Sequence, residues 1–199
     1  MEEKVKPSPT FKAELKAARQ KASKPLLWVG ILSIVMLFAG LTSAYVVRAD
    51  NGNWLIFNLP NAFYLSTAVI ITSSITLFFA FQMAKKNNSR ATGFGVLATF
   101  ILGLIFAYLQ YQGWGELYSK NIVFAGKSAN ASGSFLYLIT FLHLMHLFAG
   151  LLSLLVTLKN AFKGKYNGGN TLGLELCSIY WHFLDILWVY LFLFLYYIR

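Results

Sequence analysis

The chain has 199 residues, of which 57% are hydrophobic and only 12% are charged, with a formal net charge of +10. A soluble domain carries about 25% charged residues, so this composition fits a protein whose solvent is mostly a lipid bilayer. The basic residues flank apolar segments instead of forming one patch, which indicates membrane topology and argues against nucleic-acid binding.

Residues 1–25 are polar and basic, and we predict that they form a cytoplasmic tail before a transmembrane domain at 26–199. Phe11 and Leu15 recur at helical spacing among the lysines of this tail. That pattern fits a short amphipathic helix on an anionic membrane surface. A disordered basic tail that only sets the topology is the alternative interpretation.

Five apolar runs follow the tail, at about 26–47, 62–83, 93–112, 135–158 and 174–197. At a rise of about 1.5 Å per residue, each run is long enough to cross a hydrocarbon core of roughly 30 Å. A helix satisfies its own backbone hydrogen bonds in lipid, so helices are favoured over strands. We therefore predict an all-α integral membrane bundle of five transmembrane helices, in which the longest connection is 113–134.

The distribution of lysine and arginine predicts the orientation of this bundle. Of the 17 basic residues, seven precede residue 25, and six more flank the loops after the second and fourth runs. Because basic residues concentrate on the cytoplasmic side, we expect a cytoplasmic N-terminus and a periplasmic C-terminus.

The ionisable residues inside the apolar runs all lie in the last two runs. Each costs about 2.5 to 3.5 kcal/mol in the membrane, so each needs a partner or a function. Helical spacing places the two sets at mid-bilayer from opposite directions, where antiparallel helices bring them together. The candidates are His143 and His146 in the fourth run, and Glu175, Ser178, His182 and Asp185 in the fifth.

Three interpretations of these groups compete. The first is a structural hydrogen-bond network, in which Asp185 accepts from His146 or His182. The second is a self-contained haem or metal site that uses His143, His146 and His182. The third is a proton relay. We favour the structural network, because the histidine spacing alone is weak support for a metal site and the first three runs contain no ionisable group to continue a relay.

Small and hydroxyl side chains elsewhere predict close contacts between helices. Such residues let helix backbones approach one another and can form hydrogen bonds across a helix pair. The positions concerned are Gly40, Ser43 and Ala44 in the first run, and Ser66, Thr67, Ser73 and Ser74 in the second.

The fifth run carries a string, ELCSIYWHFLDILW from Glu175 to Trp188, that closely resembles the signature of cytochrome c oxidase subunit III. In that family a Glu precedes Tyr-Trp-His-Phe-x-Asp-x-x-Trp. The pair His143 and His146 followed by Gly150, and Gln110 at the end of the third run, also match. The resemblance covers residues 26–199.

This resemblance implies a non-catalytic subunit of a haem-copper terminal oxidase, a complex that reduces O2 to water with proton translocation. The subunit would hold no cofactor itself, because haems and copper lie in partner subunits. It would pack against catalytic subunit I, with subunit II in the same complex, support proton uptake and bind phospholipids. The motif residues carried over to this chain are His143, His146, Glu175, Trp181, His182, Asp185 and Trp188, with Gln110 as a packing residue.

The chain also departs from the family pattern. Longer members have seven helices, and this chain matches the last five, as in short bacterial forms, which implies a bacterial inner membrane. A membrane-buried Glu of the family is replaced by Ile34 here, so a role that rests on that carboxylate does not transfer. The resemblance leaves two questions open: whether the electron donor is cytochrome c or a quinol, and whether another chain supplies the two missing helices.

Overall fold

The structure, a computed structural model, describes residues 9–50, 52, 54–126, 129–166 and 171–198. These residues form five helices: α1 (Pro9–Asp50), α2 (Asn61–Lys85), α3 (Ser89–Ser119), α4 (Ala131–Phe162) and α5 (Leu172–Tyr197). No strand occurs within those ranges. All five helices are long and apolar enough to cross a membrane, so the predicted all-α class with five spans is confirmed.

Helices α2 to α5 form a closed ring. Helix α2 packs on α3, α3 on α4, α4 on α5, and α5 packs back on α2. Large side chains from every helix fill the interior, including Leu77, Phe106, Leu147 and Trp181, all of them fully buried. Their burial away from lipid and water holds the four helices together through close packing.

Helix α1 lies outside this ring. It packs on α4 and α5, and within the described residues it makes no contact with α2 or α3. Its buried residues are Ile31, Phe38, Thr42 and Tyr45, which share one face because they are spaced by seven, four and three positions. Most of the other α1 residues whose side chains the structure describes are exposed.

The start of α1 differs from the predicted start of the first membrane helix. We predicted a start near residue 26, whereas the helix begins at Pro9 and continues through Pro25. A proline inside a helix removes one backbone hydrogen bond, and long helices of membrane proteins tolerate that loss. Residues 9–25 are thus continuous with the first span, and their position at the membrane surface remains a prediction. Residues 1–8 lie outside the described residues.

The end of α3 also differs from the prediction. The helix continues past residue 112 to Ser119, so the connection to α4 is shorter than the predicted 113–134. Leu117 is fully buried, and the Trp114 indole donates a hydrogen bond to Thr140 of α4 at 3.0 Å. These tertiary contacts hold helical turns whose hydropathy is too low to identify them as part of a span.

The basic loops lie at one end of the bundle. The Ser89 hydroxyl at the start of α3 donates to the Ala161 carbonyl near the end of α4, at 2.9 Å, which brings those two ends together. We call this end the lysine-rich end, because it carries Lys85, Lys86, Arg90, Lys159, Lys163 and Lys165.

Candidate functional site

The hydrogen bonds between helices converge on α2. Its side chains Ser66, Thr67, Ser73, Ser74 and Thr76 each contact a polar group of a neighbouring helix. Ser66 and Ser73, like Thr67 and Ser74, are seven positions apart, so each pair lies on one face of the helix. In chain order their partners are Gln110, Trp188, Trp181, His182 and Thr99, at 2.8, 3.0, 3.0, 2.6 and 2.8 Å. Helix α2 is therefore bonded to both α3 and α5.

Trp181 of α5 contacts the other three helices of the ring. Its indole nitrogen donates to the Ser73 hydroxyl of α2 at 3.0 Å. A Cβ atom built on Gly103 of α3 would lie 2.7 Å from the Trp181 ring, and one built on Gly150 of α4 would lie 3.2 Å from it. The ring therefore packs directly against two helix backbones, in space that glycine leaves free.

Trp188, two turns further along α5, has a similar arrangement. Its indole nitrogen donates to Thr67 of α2 at 3.0 Å. Its ring meets Phe63 of α2 and Phe106 of α3 edge to face, with centroids 5.8 and 5.0 Å apart. On α4 it lies against His143, at 5.1 Å between centroids. Both tryptophans of the motif are thus central packing groups of the ring.

His143 sits in an aromatic environment. The residue is fully buried, and its ring lies 5.9 Å from Phe106 and 6.5 Å from Phe38, besides Trp188. Neither ring nitrogen has a hydrogen-bond partner within the described part of the chain. We had assigned this side chain to a polar network. In the structure its imidazole packs against aromatic side chains and forms no hydrogen bond to the described residues.

His182 bonds to α2 and not to α4. Its Nδ1 lies 2.6 Å from the Ser74 hydroxyl, a hydrogen bond whose direction depends on the imidazole tautomer. Both side chains are half-buried. His182 is thus directed toward α2, as are the indole nitrogens of Trp181 and Trp188 on the same helix.

Asp185 lies buried on α5 near Ser74 of α2. It is 4% exposed, and neither carboxyl oxygen has a hydrogen-bond partner among the described residues. The predicted bond to a histidine is not formed there, since His182 bonds to Ser74 and His146 Nδ1 bonds to the carbonyl of Leu142 in its own helix, at 2.7 Å.

The remaining predicted residues lie toward the lysine-rich end. Glu175 accepts a 2.6 Å hydrogen bond from Lys24 of α1, and the two form an ion pair between partly exposed groups. Ser178 is buried one turn from Glu175. The backbone carbonyl of His146 accepts a hydrogen bond from the Tyr180 hydroxyl at 3.2 Å. This bond links α4 to α5.

The three histidines do not fit a haem or metal centre. His143 is enclosed by aromatic rings, His146 bonds to its own helix, and His182 bonds to α2. Among the described residues no three side chains of His, Cys, Asp or Glu lie close enough together to hold a metal ion. The geometry therefore does not favour the self-contained haem or metal hypothesis.

Sequence reasoning missed the partners of the tryptophans. It predicted contacts for Ser66, Thr67, Ser73 and Ser74 of α2 without assigning them to particular helices. Part of the signal was present, because a buried indole N–H needs an acceptor and the second run is rich in hydroxyls. Spacing did not identify the acceptors, since Thr67 and Ser73 are six positions apart and the two tryptophans seven. By contrast, Gly40, Ser43 and Ala44 of α1 are exposed in this chain.

Comparison with known proteins shows which family the chain is similar to. The sequence model of the family described as cytochrome c oxidase subunit III matches residues 55–199. The chain is 34% identical over 178 residues to cytochrome bo(3) ubiquinol oxidase subunit 3 of Buchnera aphidicola, covering 85% of this chain and 90% of that protein. It is 30% identical to cytochrome c oxidase subunit 3 of Corynebacterium diphtheriae, covering 83% and 82% of the two chains. It is 32% identical to a probable cytochrome c oxidase subunit 3 of Nocardia farcinica, covering 87% and 86%.

Proposed function

The chain belongs to the cytochrome c oxidase subunit III family, and from that membership we propose that it is the structural, non-catalytic subunit of a haem-copper respiratory oxidase. The family and the five spans support a multi-pass protein of a bacterial inner membrane. The relatives are named as subunits of cytochrome c oxidases and of a ubiquinol oxidase, so a place in an oxidase complex follows from the family.

The structural role is supported by the hydrogen bonds that the buried polar groups form between helices. Trp181, Trp188 and His182 direct their ring nitrogens to hydroxyls of α2. A catalytic centre needs polar groups that converge on a site that substrate can reach. Here the same groups join helices to one another, which is what a rigid supporting subunit requires.

The further assignments of the proposal follow from the family. Subunit I carries the haems and copper, reduces O2 to water and translocates protons, while this chain packs against it, stabilises it and supports its proton uptake. Subunit II belongs to the same complex, and phospholipids bind between the helices. The lysine-rich end faces the cytoplasm, in accordance with the concentration of basic residues there.

Purification of the tagged chain from its native membrane tests this function. We expect it to co-purify with a much larger, haem-containing membrane subunit, and the chain separated from that subunit to be colourless. Haem or copper bound stoichiometrically by the single chain would refute the proposal, as would the absence of any haem-containing partner.

A variant of the chain provides the control. Trp181→Ala removes the central packing group without touching a haem, so less complex should be recovered. The absorption spectrum per haem of the recovered complex should be unchanged. A changed haem spectrum would indicate that the chain contributes directly to the redox centre.

A further inference from the structure

An open groove runs between α1 and α2. Both helices pack on α5, but they make no contact with each other in the described ranges. The face of α5 between them is open, with Ile186, Tyr190 and Leu193 exposed by 70%, 48% and 44%. Helices α1 and α2 are therefore the walls of a groove, which we call the α1–α2 groove, and this face of α5 is its floor.

A polar group lies along the α2 side of this groove. His182 is four positions before Ile186, on the same face of α5. Its Nδ1 is bonded to Ser74, while no partner for its Nε2 occurs in the described part of the chain. The ring is only half-buried. A nitrogen with no partner that faces hydrocarbon is costly, so the groove presents an unmet hydrogen-bonding group.

The depth of this group restricts what can bind to it. His182 lies ten residues from the start of α5, and Ser74 lies eleven residues from the end of α2 at the same lysine-rich end. At about 1.5 Å per residue, both are roughly 15 Å inside their helices. The polar headgroup of a lipid stays at the membrane surface, and its acyl chains offer no hydrogen bond. A transmembrane helix can present a polar side chain at this depth.

The α1 side of the groove is mainly apolar, although the Tyr190 hydroxyl donates to Thr42 of α1 at 3.3 Å. A cavity of about 380 Å³ lies between α1 and α5. Val35 and Ala39 line it on α1, and Ile186 and Tyr190 line it on α5. The groove thus combines an apolar recess for a side chain with a polar group one helical turn away from it.

From these features we infer that the α1–α2 groove holds a transmembrane helix of a partner subunit, with a hydrogen-bonding side chain of that helix opposite His182. The inference rests on the proposed function, since it requires an oxidase complex that supplies the helix. It adds the face of this chain on which the partner packs and the chemistry that the partner presents there.

A photo-crosslinking amino acid at Ile186, in the intact complex, tests the inference. Phe148 of α4 is the matched control, because it is 62% exposed and lies fourteen residues from the lysine-rich end of its helix, as Ile186 does. We expect the probe at position 186 to attach to another subunit of the oxidase, and the probe at 148 to attach to lipid.

The results of this experiment distinguish failure of the inference from failure of the proposed function. Attachment of the probe at 186 to lipid alone or to a second copy of this chain would overturn the inference, as would equal or stronger attachment to a subunit at 148. If no haem-containing subunit co-purifies at all, the proposed function fails, and the inference fails with it.

A second pair of variants tests the hydrogen bond itself. His182→Phe should lower the fraction of chain retained by the complex in detergent by roughly three- to fifteenfold, the range for one hydrogen bond within a membrane. Ser74→Ala removes the bond to Nδ1 within the chain but leaves Nε2 in place. The fraction of chain retained by the complex should therefore fall clearly less for Ser74→Ala than for His182→Phe. Equal losses would show that His182 acts only inside this chain.

Discussion

Replacing Gly103 by alanine should destabilise the bundle through its contact with Trp181. The added Cβ would lie 2.7 Å from Cη2 of the indole and 2.9 Å from a methyl group of Leu151. The indole has little room to shift, because its nitrogen is bonded to Ser73 at 3.0 Å and Cε3 and Cζ3 of the same ring lie against Gly150. Overpacking of this kind costs about 1 to 3 kcal/mol, and alanine returns about 0.5 to 1 kcal/mol of helix propensity. We expect a net loss of about 1 kcal/mol.

The free energy of unfolding is measured in detergent, on the complex or on the chain. Gly103→Ala is compared with a matched control variant. Gly40→Ala on α1 is that control, because its added Cβ meets nothing within 4 Å, and it should be neutral or stabilising. Adding Trp181→Phe to Gly103→Ala should make room, so the two substitutions together should cost less than their sum. The reasoning is refuted if Gly103→Ala is as stable as Gly40→Ala, or if the double variant is strictly additive.

Four further substitutions follow from other contacts in the chain. Trp188→Phe and Thr67→Val should each lower the free energy of unfolding by about 1 kcal/mol, and the pair together no more than the larger single loss, since both remove one hydrogen bond. Asp185→Asn should change it by less than about 0.5 kcal/mol, because neither carboxyl oxygen has a hydrogen-bond partner among the described residues and an amide has the same shape. Lys24→Gln should cost about 0 to 1 kcal/mol, decreasing with salt, because its ion pair with Glu175 is partly exposed.

Each of these expectations has a contrary result. Additive losses for Trp188→Phe and Thr67→Val would mean that the two residues stabilise the chain independently. A large loss for Asp185→Asn would show that the carboxyl group has a partner that an amide cannot replace. A salt-independent loss above about 2 kcal/mol for Lys24→Gln would place its ion pair in a dry environment.

The number and location of the spans could be predicted from the sequence, because apolar runs of membrane length leave few alternatives to a helix. The helix ends could not. Residues 9–25 and 113–119 are too polar to be identified as part of a span, and their helical structure depends on continuity with a neighbouring helix or on contacts such as Trp114 with Thr140. Such contacts join segments that are distant in the sequence, so they cannot be predicted from local composition.

The polar residues of the fourth and fifth runs could be listed from the sequence, but the partners of their side chains could not be assigned. Spacing placed His182 and Asp185 on one stripe of α5, but it could not show which neighbour the stripe faces. In the structure His182 bonds to Ser74 of α2, and the indole nitrogens of Trp181 and Trp188 bond to hydroxyls of the same helix. These partners depend on how the helices pack against one another, which local spacing does not specify.

The position of α1 outside the ring has a consequence for biosynthesis. This helix leaves the ribosome before the other four, yet the surface on which it packs belongs to α4 and α5, which are made after α2 and α3. At typical translation rates, on the order of 10 s separate the completion of α1 from that of α5. During that interval the oldest part of the chain waits in the bilayer without its intramolecular contacts, while α2 and α3 can already pair beside it.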